Sequence, residues 1–364
     1  MVHRPPRITH KAALRALRGA DAKVAHIQYQ TGAYEMRPTV NMLPLLLRLP
    51  WGWPTVVTFH DLLVPYLFPK AGPVREWANR LLARTATAVI ATNPDDAKRL
   101  QSWGVRRLEL IPIGSNIRND PPLGFDRQAW RAGRGISPGA TLLAYFGFLN
   151  STKGLDSLLR AISNLEKRTP GLYRLMMVGG GLGSSDPTNR ATAGALDALA
   201  RDLGVADSLT WTGYLEPQEV SAALLSADMA VLPFADGASF RRGSLLAVLE
   251  HGLPLITTRG RGSGIRDWGL GIEYQELEIS SGSNPQSAIR NPQSLTPNPQ
   301  SLIPRLLDSE NALLVPPGDA AALVVAIERL AVDDALRLKL AGGARSLARH
   351  FSWETIAERH TLLY

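Results

Sequence analysis

The 364-residue chain contains no cysteine. It can therefore form no disulfide, offer no thiolate nucleophile and bind no zinc through sulfur, a composition that fits a reducing cytoplasm. Long apolar runs are also missing. The opening residues, MVHRPPRITHKAALRALRGADAKVAHIQ, are basic and lack the apolar core of a secretion signal. No stretch approaches the roughly 20 apolar residues that span a bilayer; the nearest, MLPLLLRLPWGW, is broken by prolines and an arginine. Acidic charge is scarce in the first third. Residues 1–120 hold 17 Lys/Arg and 8 Asp/Glu, whereas the rest of the chain holds 23 and 24. A basic front end attracts an anionic substrate or an anionic bilayer surface. No zinc finger, aromatic ribonucleoprotein motif or basic zipper accompanies that charge, which argues against nucleic acid as a partner.

What is present is an ordinary globular composition, with 45% hydrophobic and 20% charged residues, in a chain too long for one core. From about residue 23, short β-branched segments alternate with helical ones. VAHIQYQ, PTVVTFHD, TATAVIATN and RLELIPIG read as strands, with PVREWANRLLAR and PDDAKRLQSWG as helices between them. RNDPPLGFDRQAWRAGRGISPGA is polar and rich in Pro and Gly, and reads as a linker. Alternation then resumes at TLLAYFGF and continues to LPLITT. The pattern predicts an α/β protein of two Rossmann-like parallel-sheet domains, with ligands expected at the carboxyl ends of the strands, in the cleft between them. The expected divisions are residues 1–118, a linker over 119–139, a second domain over 140–348 and a final helix over 349–364. In NPQSAIRNPQSLTPNPQSLIP the NPQS unit recurs three times at a period of seven. Prolines at that spacing exclude a helix, and the polar content predicts a disordered insertion at about 280–304.

Several stretches, in this order, carry a resemblance: TFHD, ATNPDDAKRLQSWGVRRLELIPIGSN, YFGFLNSTKGLDSLLRA, LTWTGYLEPQEVSAALLSADMAVLPF, EHGLPLITT and ENALLVPPGDAAALVVAI. From about residue 23 onward the series resembles glycosyltransferase family 4, whose members have the two-domain GT-B fold. The resemblance implies a retaining, metal-independent transferase. Its only co-substrate in place of a cofactor would be a nucleotide-sugar, bound on the second domain. A polysaccharide, lipid-linked or other glycan acceptor would bind on the first domain, and the last helix would cross back to it. It further implies a role in polysaccharide or cell-envelope biosynthesis, in the cytoplasm or peripherally at the inner face of the membrane. The helix PVREWANRLLAR, with Trp77, Leu81 and Leu82, suits such membrane contact, although an amphipathic core helix has the same pattern.

The chemistry explains the residue types. A diphosphate leaving group handled without a metal needs positive charge and N–H donors from the protein. In GFLNSTKG, Gly147 lets the backbone approach and Lys153 supplies a point charge. The family has an arginine directly after that glycine, where this chain has Phe148. It also has two glutamates eight positions apart, where counting back from Gly252 and Pro254 gives Ser239 and Ala247. Glu250 lies three residues beyond Ala247 and points roughly 60° away on a helix, so it is no simple replacement. Arg241 and Arg242 sit just before Gly243 and Ser244 at a helix start. That position suggests a relocated guanidinium, which would grip the diphosphate together with the helix N–H groups. His60, ending a strand, is the candidate catalytic residue beside sugar and acceptor. Gly114 and Asn116 in IPIGSN are placed on the cleft side, and the backbone near Gly213 to Leu215 is assigned to the base. The glycine-rich GGGLG, Gly179 to Gly183, could approach a phosphate, but with no further motif beside it reads first as a turn.

The family's first strand and glycine-rich loop have no counterpart among the first 22 residues, so the N-terminal domain is expected to be incomplete and the chain marginally stable. With the missing carboxylates, this keeps a second reading open: a non-catalytic or fragmentary GT-B relative that binds a nucleotide or a protein partner.

Overall fold

Burial alternates along AHIQYQ, with Ala25, Ile27 and Tyr29 inward and His26, Gln28 and Gln30 on the opposite face. That is the period-two pattern of a strand. In the computed structural model this segment is β1 (Ala25–Gln30). The structure describes residues 15, 17, 19, 22–30, 38–62, 72–179, 187–260 and 304–364. The expected NPQS insertion, apart from Pro304, and GGGLG beyond Gly179 lie outside these residues. So does most of HKAALRALRG, in which Arg15, Leu17 and Gly19 are helical. The chain divides into two units.

The first unit comprises Met1–Ser115, Phe240–Gly243 and Phe351–Tyr364. Its strands β1, β2 (Thr55–Asp61), β3 (Ala88–Ala91) and β4 (Leu108–Leu110) are parallel and ordered β1-β2-β3-β4. One face packs Ile27, Tyr29, Val57, Phe59, Val89 and Ala91 against Leu82, Leu100 and Trp103. Those last three come from or adjoin α2 (Gly72–Thr85) and α3 (Pro94–Ser102), and α1 (Leu43–Trp51) precedes β2. The prolines of MLPLLLRLPW do not prevent a helix, because one stands in its first turn, where no N–H is required. The other face packs Val56, Ala88, Ile90 and Ile111 against Ile356 and Leu363. Ile356 belongs to α11 (Trp353–Thr361), which Ser352 caps by accepting from the Thr355 N–H at 3.1 Å.

The second unit comprises Asn116–Ser239 and Ser244–His350. Six parallel strands run in the order β10-β9-β8-β5-β6-β7. These are β5 (Thr141–Phe146), β6 (Tyr173–Val178), β7 (Leu209–Gly213), β8 (Met229–Leu232), β9 (Leu255–Thr258) and β10 (Leu313–Val315). The linker expected over 119–139 is instead part of this unit and holds α4 (Arg127–Ala132). Asp126 caps α4 by accepting from the Ala129 N–H, and Arg131 is only 3% exposed. Its guanidinium donates to Ser226 O, Ala140 O and Asp228 Oδ2 at 3.2, 2.5 and 3.1 Å. Asp228 also pairs with Arg127 at 2.5 Å and accepts from the Leu142 N–H at 2.7 Å. Burial alone would raise the Asp228 pKa; the Leu142 N–H and the two arginines outweigh it and hold the carboxyl below its ordinary range. A composition of Pro, Gly and charge concealed an anchored helix.

Candidate functional site

In the second sheet, strands added after β5 run one way through β6 and β7, and β8, β9 and β10 lie on its other side. The carboxyl ends of β5 and β8 therefore flank a topological switch point, where open α/β sheets bind ligands. The loops leaving these two strands are built around each other. After β5, Gly147 has φ 140°, and a Cβ there would stand 3.6 Å from Cβ and Oγ of Ser244. Ser244 opens the first turn of α8 (Gly243–Glu250). A tight turn over Ser151–Lys153 follows, capped by Asn150 accepting from the Thr152 N–H. Gly154 then turns left-handed (φ 66°) into α5 (Leu155–Arg168). A Cβ on Gly154 would fall 1.9 Å from the Pro233 carbonyl oxygen, so the crossing with the β8 loop admits only glycine. The Ala235 N–H donates to Thr152 O at 2.9 Å and fastens the same crossing. Lys153 is half-buried, its Nζ 5.1 Å from the Phe234 ring centroid. Thr258 Oγ1 donates to Phe234 O at 2.7 Å and ties the β8 loop to β9.

Arg241 and Arg242, of which one or the other is expected at the diphosphate, have different surroundings. Phe240–Gly243 is counted with the first unit, where Arg241 meets the start of α3. Its guanidinium donates to Asn93 Oδ1 and stands 3.3 Å from Asp95 and 3.7 Å from Asp96. Asn93 is itself the cap of α3, accepting from the Asp96 N–H at 2.9 Å and donating to Asp96 Oδ2 at 2.6 Å. Burial raises the pKa of Asp96, opposed by the Asn93 hydrogen bond and by Arg241. Arg241 thus neutralises a buried carboxylate. Arg242 is half-buried.

His60 stands at the end of β2 in the first unit, half-buried. Its Nε2 lies 2.7 Å from Gln28 Oε1 on β1. Gln28 Nε2 is 3.2 Å from His26 Nε2, which lies 2.8 Å from Thr58 Oγ1. Burial lowers the His60 pKa. His26 is lowered to about 4 by burial and by the neighbouring His360 and His60, so both rings are neutral at pH 7.

A sequence model of the "Glycosyl transferase 4-like domain" matches residues 2–114, and one of "Glycosyl transferases group 1" matches residues 140–273. The chain belongs to the family 4/group 1 glycosyltransferases. Among relatives, a D-inositol 3-phosphate glycosyltransferase of Rhodococcus erythropolis is 28% identical over 240 residues, covering 62% of this chain and 52% of the relative. The chain spans about half the length of the first such relatives it matches. Among solved structures, a sucrose-phosphate synthase from Thermosynechococcus elongatus aligns with TM-score 0.64 and 22% identity, covering 98% of this chain and 76% of that one. Anabaena Alr3699/HepE, solved in complex with UDP, aligns with TM-score 0.69 and 16% identity, covering 97% and 81%. The fold is that of GT-B glycosyltransferases: two parallel-sheet α/β domains.

The remaining expected residues lie in separate segments of the two units. Ser239 is half-buried in the β8 loop, and Ala247 is fully buried on the core side of α8. Leu215 is half-buried just past β7, following the exposed Tyr214. Asn116 is exposed at a bend that opens the second unit. Gly114 is a packing glycine: a Cβ there would lie 2.8 Å from Trp353 Cε2 and 2.9 Å from Phe351 O. Phe148, where the family arginine is expected, is 69% exposed. Among the described residues no group of three or more His, Cys, Asp or Glu could hold a metal, and no helix is long and apolar enough to cross a membrane. Sequence reasoning overlooked Gly154, whose left-handed turn had only the Lys-Gly pair before a helical run as its signal. It also overlooked His26 and Gln28, for which alternation along VAHIQYQ marked the shared face.

Proposed function

We propose that the protein transfers a sugar, with retention and without a metal, from a nucleotide-sugar donor to a glycan or lipid-linked acceptor. The observation that carries this reading is the crossing at the β5–β8 switch point, where Gly147 approaches Ser244 in the first turn of α8 and Lys153 approaches Phe234 in the β8 loop. A bare backbone approach at Gly147, the free N–H groups at the start of α8 and one ammonium suit a diphosphate better than a neutral ligand. The UDP and UDP-glucose complexes of the Anabaena neighbour support the donor class. In this scheme Lys153, Arg242 and the N–H groups of Gly243 and Ser244 stabilise the departing diphosphate. Arg241 acts indirectly, because its guanidinium is committed to Asn93 and Asp96. Ser239 faces the sugar, the segment from Gly213 to Leu215 meets the base, and His60 serves the acceptor side.

The basic first unit favours an anionic acceptor or an anionic bilayer surface. Trp77 and Val74 are exposed on α2 and would supply the apolar part of such contact.

Ser239 and Ala247 motivate the second reading, a relative that binds a nucleotide without transferring sugar. The deciding experiment is calorimetry with UDP, GDP and ADP and their sugar conjugates, followed by assay for donor hydrolysis or transfer. One nucleotide is expected to bind, and Lys153→Ala should weaken it by about tenfold, the worth of one charge-assisted phosphate contact. Unchanged affinity in Lys153→Ala would refute the donor site. Binding without turnover would select the second reading.

A further inference from the structure

The second face of the first sheet is apolar toward the amino ends of its strands and polar toward their carboxyl ends. Val24, Val56, Ile90 and Ile356 make up the apolar part. From His26, level with Val56, a polar row runs on through Gln28, in register with Thr58, to His60 on β2. Tyr364, following α11, closes this row: its hydroxyl lies 2.5 Å from His26 Nδ1, and the two rings meet edge-on at 5.7 Å. His360 is also 5.7 Å from His26, with its own Nδ1 held 2.8 Å from Ile356 O.

We propose that Gln28 is a positioning residue for His60, holding the ring as the Nε2–H tautomer so that Nδ1 is the nitrogen offered to a substrate hydroxyl. The hydrogen-bond directions follow from the partners. Gln28 Oε1 can only accept, so the Nε2 of His60, 2.7 Å away, must donate. The amide nitrogen of Gln28 can only donate, so the Nε2 of His26, 3.2 Å away, must accept. The proton of His26 then sits on Nδ1, donated to the Tyr364 hydroxyl, and its one Nε2 lone pair is shared between the nearer Thr58 hydroxyl and the Gln28 amide. This chain requires His26 to be neutral, which its lowered pKa ensures. Among the described residues Nδ1 of His60 makes no hydrogen bond. In the structure the exposed Gln28 amide turns Oε1 toward His60 and its nitrogen toward His26; the reverse orientation would pair an Nδ1–H His60 with an Nε2–H His26 accepting from Tyr364, so the tautomer of His60 reports the orientation directly.

The role of His60 toward substrate rests on the proposed transfer reaction, whereas its tautomer does not, so the test reads the tautomer first. Histidine nitrogens labelled with 15N are recorded by two-bond 1H–15N correlation in the full chain, and His60 is assigned with a His60→Asn variant. The expected result is a neutral Nε2–H ring, with its N–H proton protected from solvent exchange. Gln28→Leu should abolish that protection, and Gln28→Glu should raise the His60 pKa by about one unit, as expected of a carboxylate accepting from the ring. Tyr364→Phe keeps the packing and should move the His26 nitrogens. An Nδ1–H tautomer at His60, or a His60 spectrum indifferent to both Gln28 variants, would overturn the proposal. If transfer is observed, Gln28→Leu should lower turnover about tenfold at unchanged donor affinity. Loss of transfer in the parent chain with the tautomer as stated would count against the reaction alone.

Discussion

Gly154→Ala tests whether the loop crossing at the β5–β8 switch point is the constraint that places Lys153. Two costs add in this variant. Alanine at φ 66° sits in the left-handed region, which costs about 1–2 kcal/mol. The new methyl also lands 1.9 Å from the Pro233 carbonyl oxygen, a backbone atom that must retreat by about 1 Å before any tolerable contact is reached. Overpacking of that kind costs a further 1–3 kcal/mol or so. Gly171 supplies the control, since it lies just past the other end of α5, has φ 75°, and a Cβ there would meet nothing within 4 Å. Gly171→Ala should therefore show the conformational cost alone. The expected difference between the two variants is about 2 kcal/mol, or roughly 4–8 °C in melting temperature for a unit of this size. Urea unfolding followed by fluorescence measures it, and calorimetry with the bound nucleotide should show weaker binding for Gly154→Ala only. Equal stability of the two variants would refute the crossing as described.

Asp228→Asn leaves the buried Arg131 without its carboxylate and should lower stability by about 2 kcal/mol, the usual buried-pair cost reduced because Asp228 is partly exposed. A loss below about 0.5 kcal/mol in urea unfolding would contradict the anchoring of α4. Gly114→Ala drives a methyl into Trp353 and Phe351 O and should break the 2.8 Å bond from Trp353 Nε1 to Ser115 O. It is expected to cost 1–3 kcal/mol or so and to shift the tryptophan near-UV circular dichroism; an unchanged spectrum would count against the packing role. Acidification should destabilise the fold. The His26 pKa is about 4 when folded against 6.5 ordinarily, so between those values the unfolded chain binds more protons. Stability is complete above pH 6.5 and falls as pH drops toward 4, by about 1 kcal/mol from His26 after allowing for its exposure. Burial lowers His60 and His251 in the same direction. A shallower slope from about pH 7 to 4.5 in His26→Gln than in the parent would confirm the source; equal slopes would exclude it.

Much of this protein was determined by local sequence. Strands such as AHIQYQ, TVVTFHD and TLLAYF declare themselves because a β-branched or alternating run can bury one face or two and nothing else. The order of those strands and helices was sufficient for the two parallel sheets and for the family resemblance. Short range failed where a segment owes its structure to a distant partner. RQAWRA is too short to announce a helix, and it is held by Asp228, about a hundred positions later. Arg241 looked like a free guanidinium beside a helix start, yet its carboxylates lie 145 or more positions away. Gly114 reads in sequence as a cleft-side residue, and its constraint is an indole from the far end of the chain. His26, Gln28, His60 and Tyr364 form a row only because β1 and β2 pair in one register and α11 packs on their face. Sequence fixes periodicity and backbone preference, which act over a few residues. Which charges neutralise each other, and which nitrogen of a histidine carries its proton, depend on contacts that only the folded chain creates.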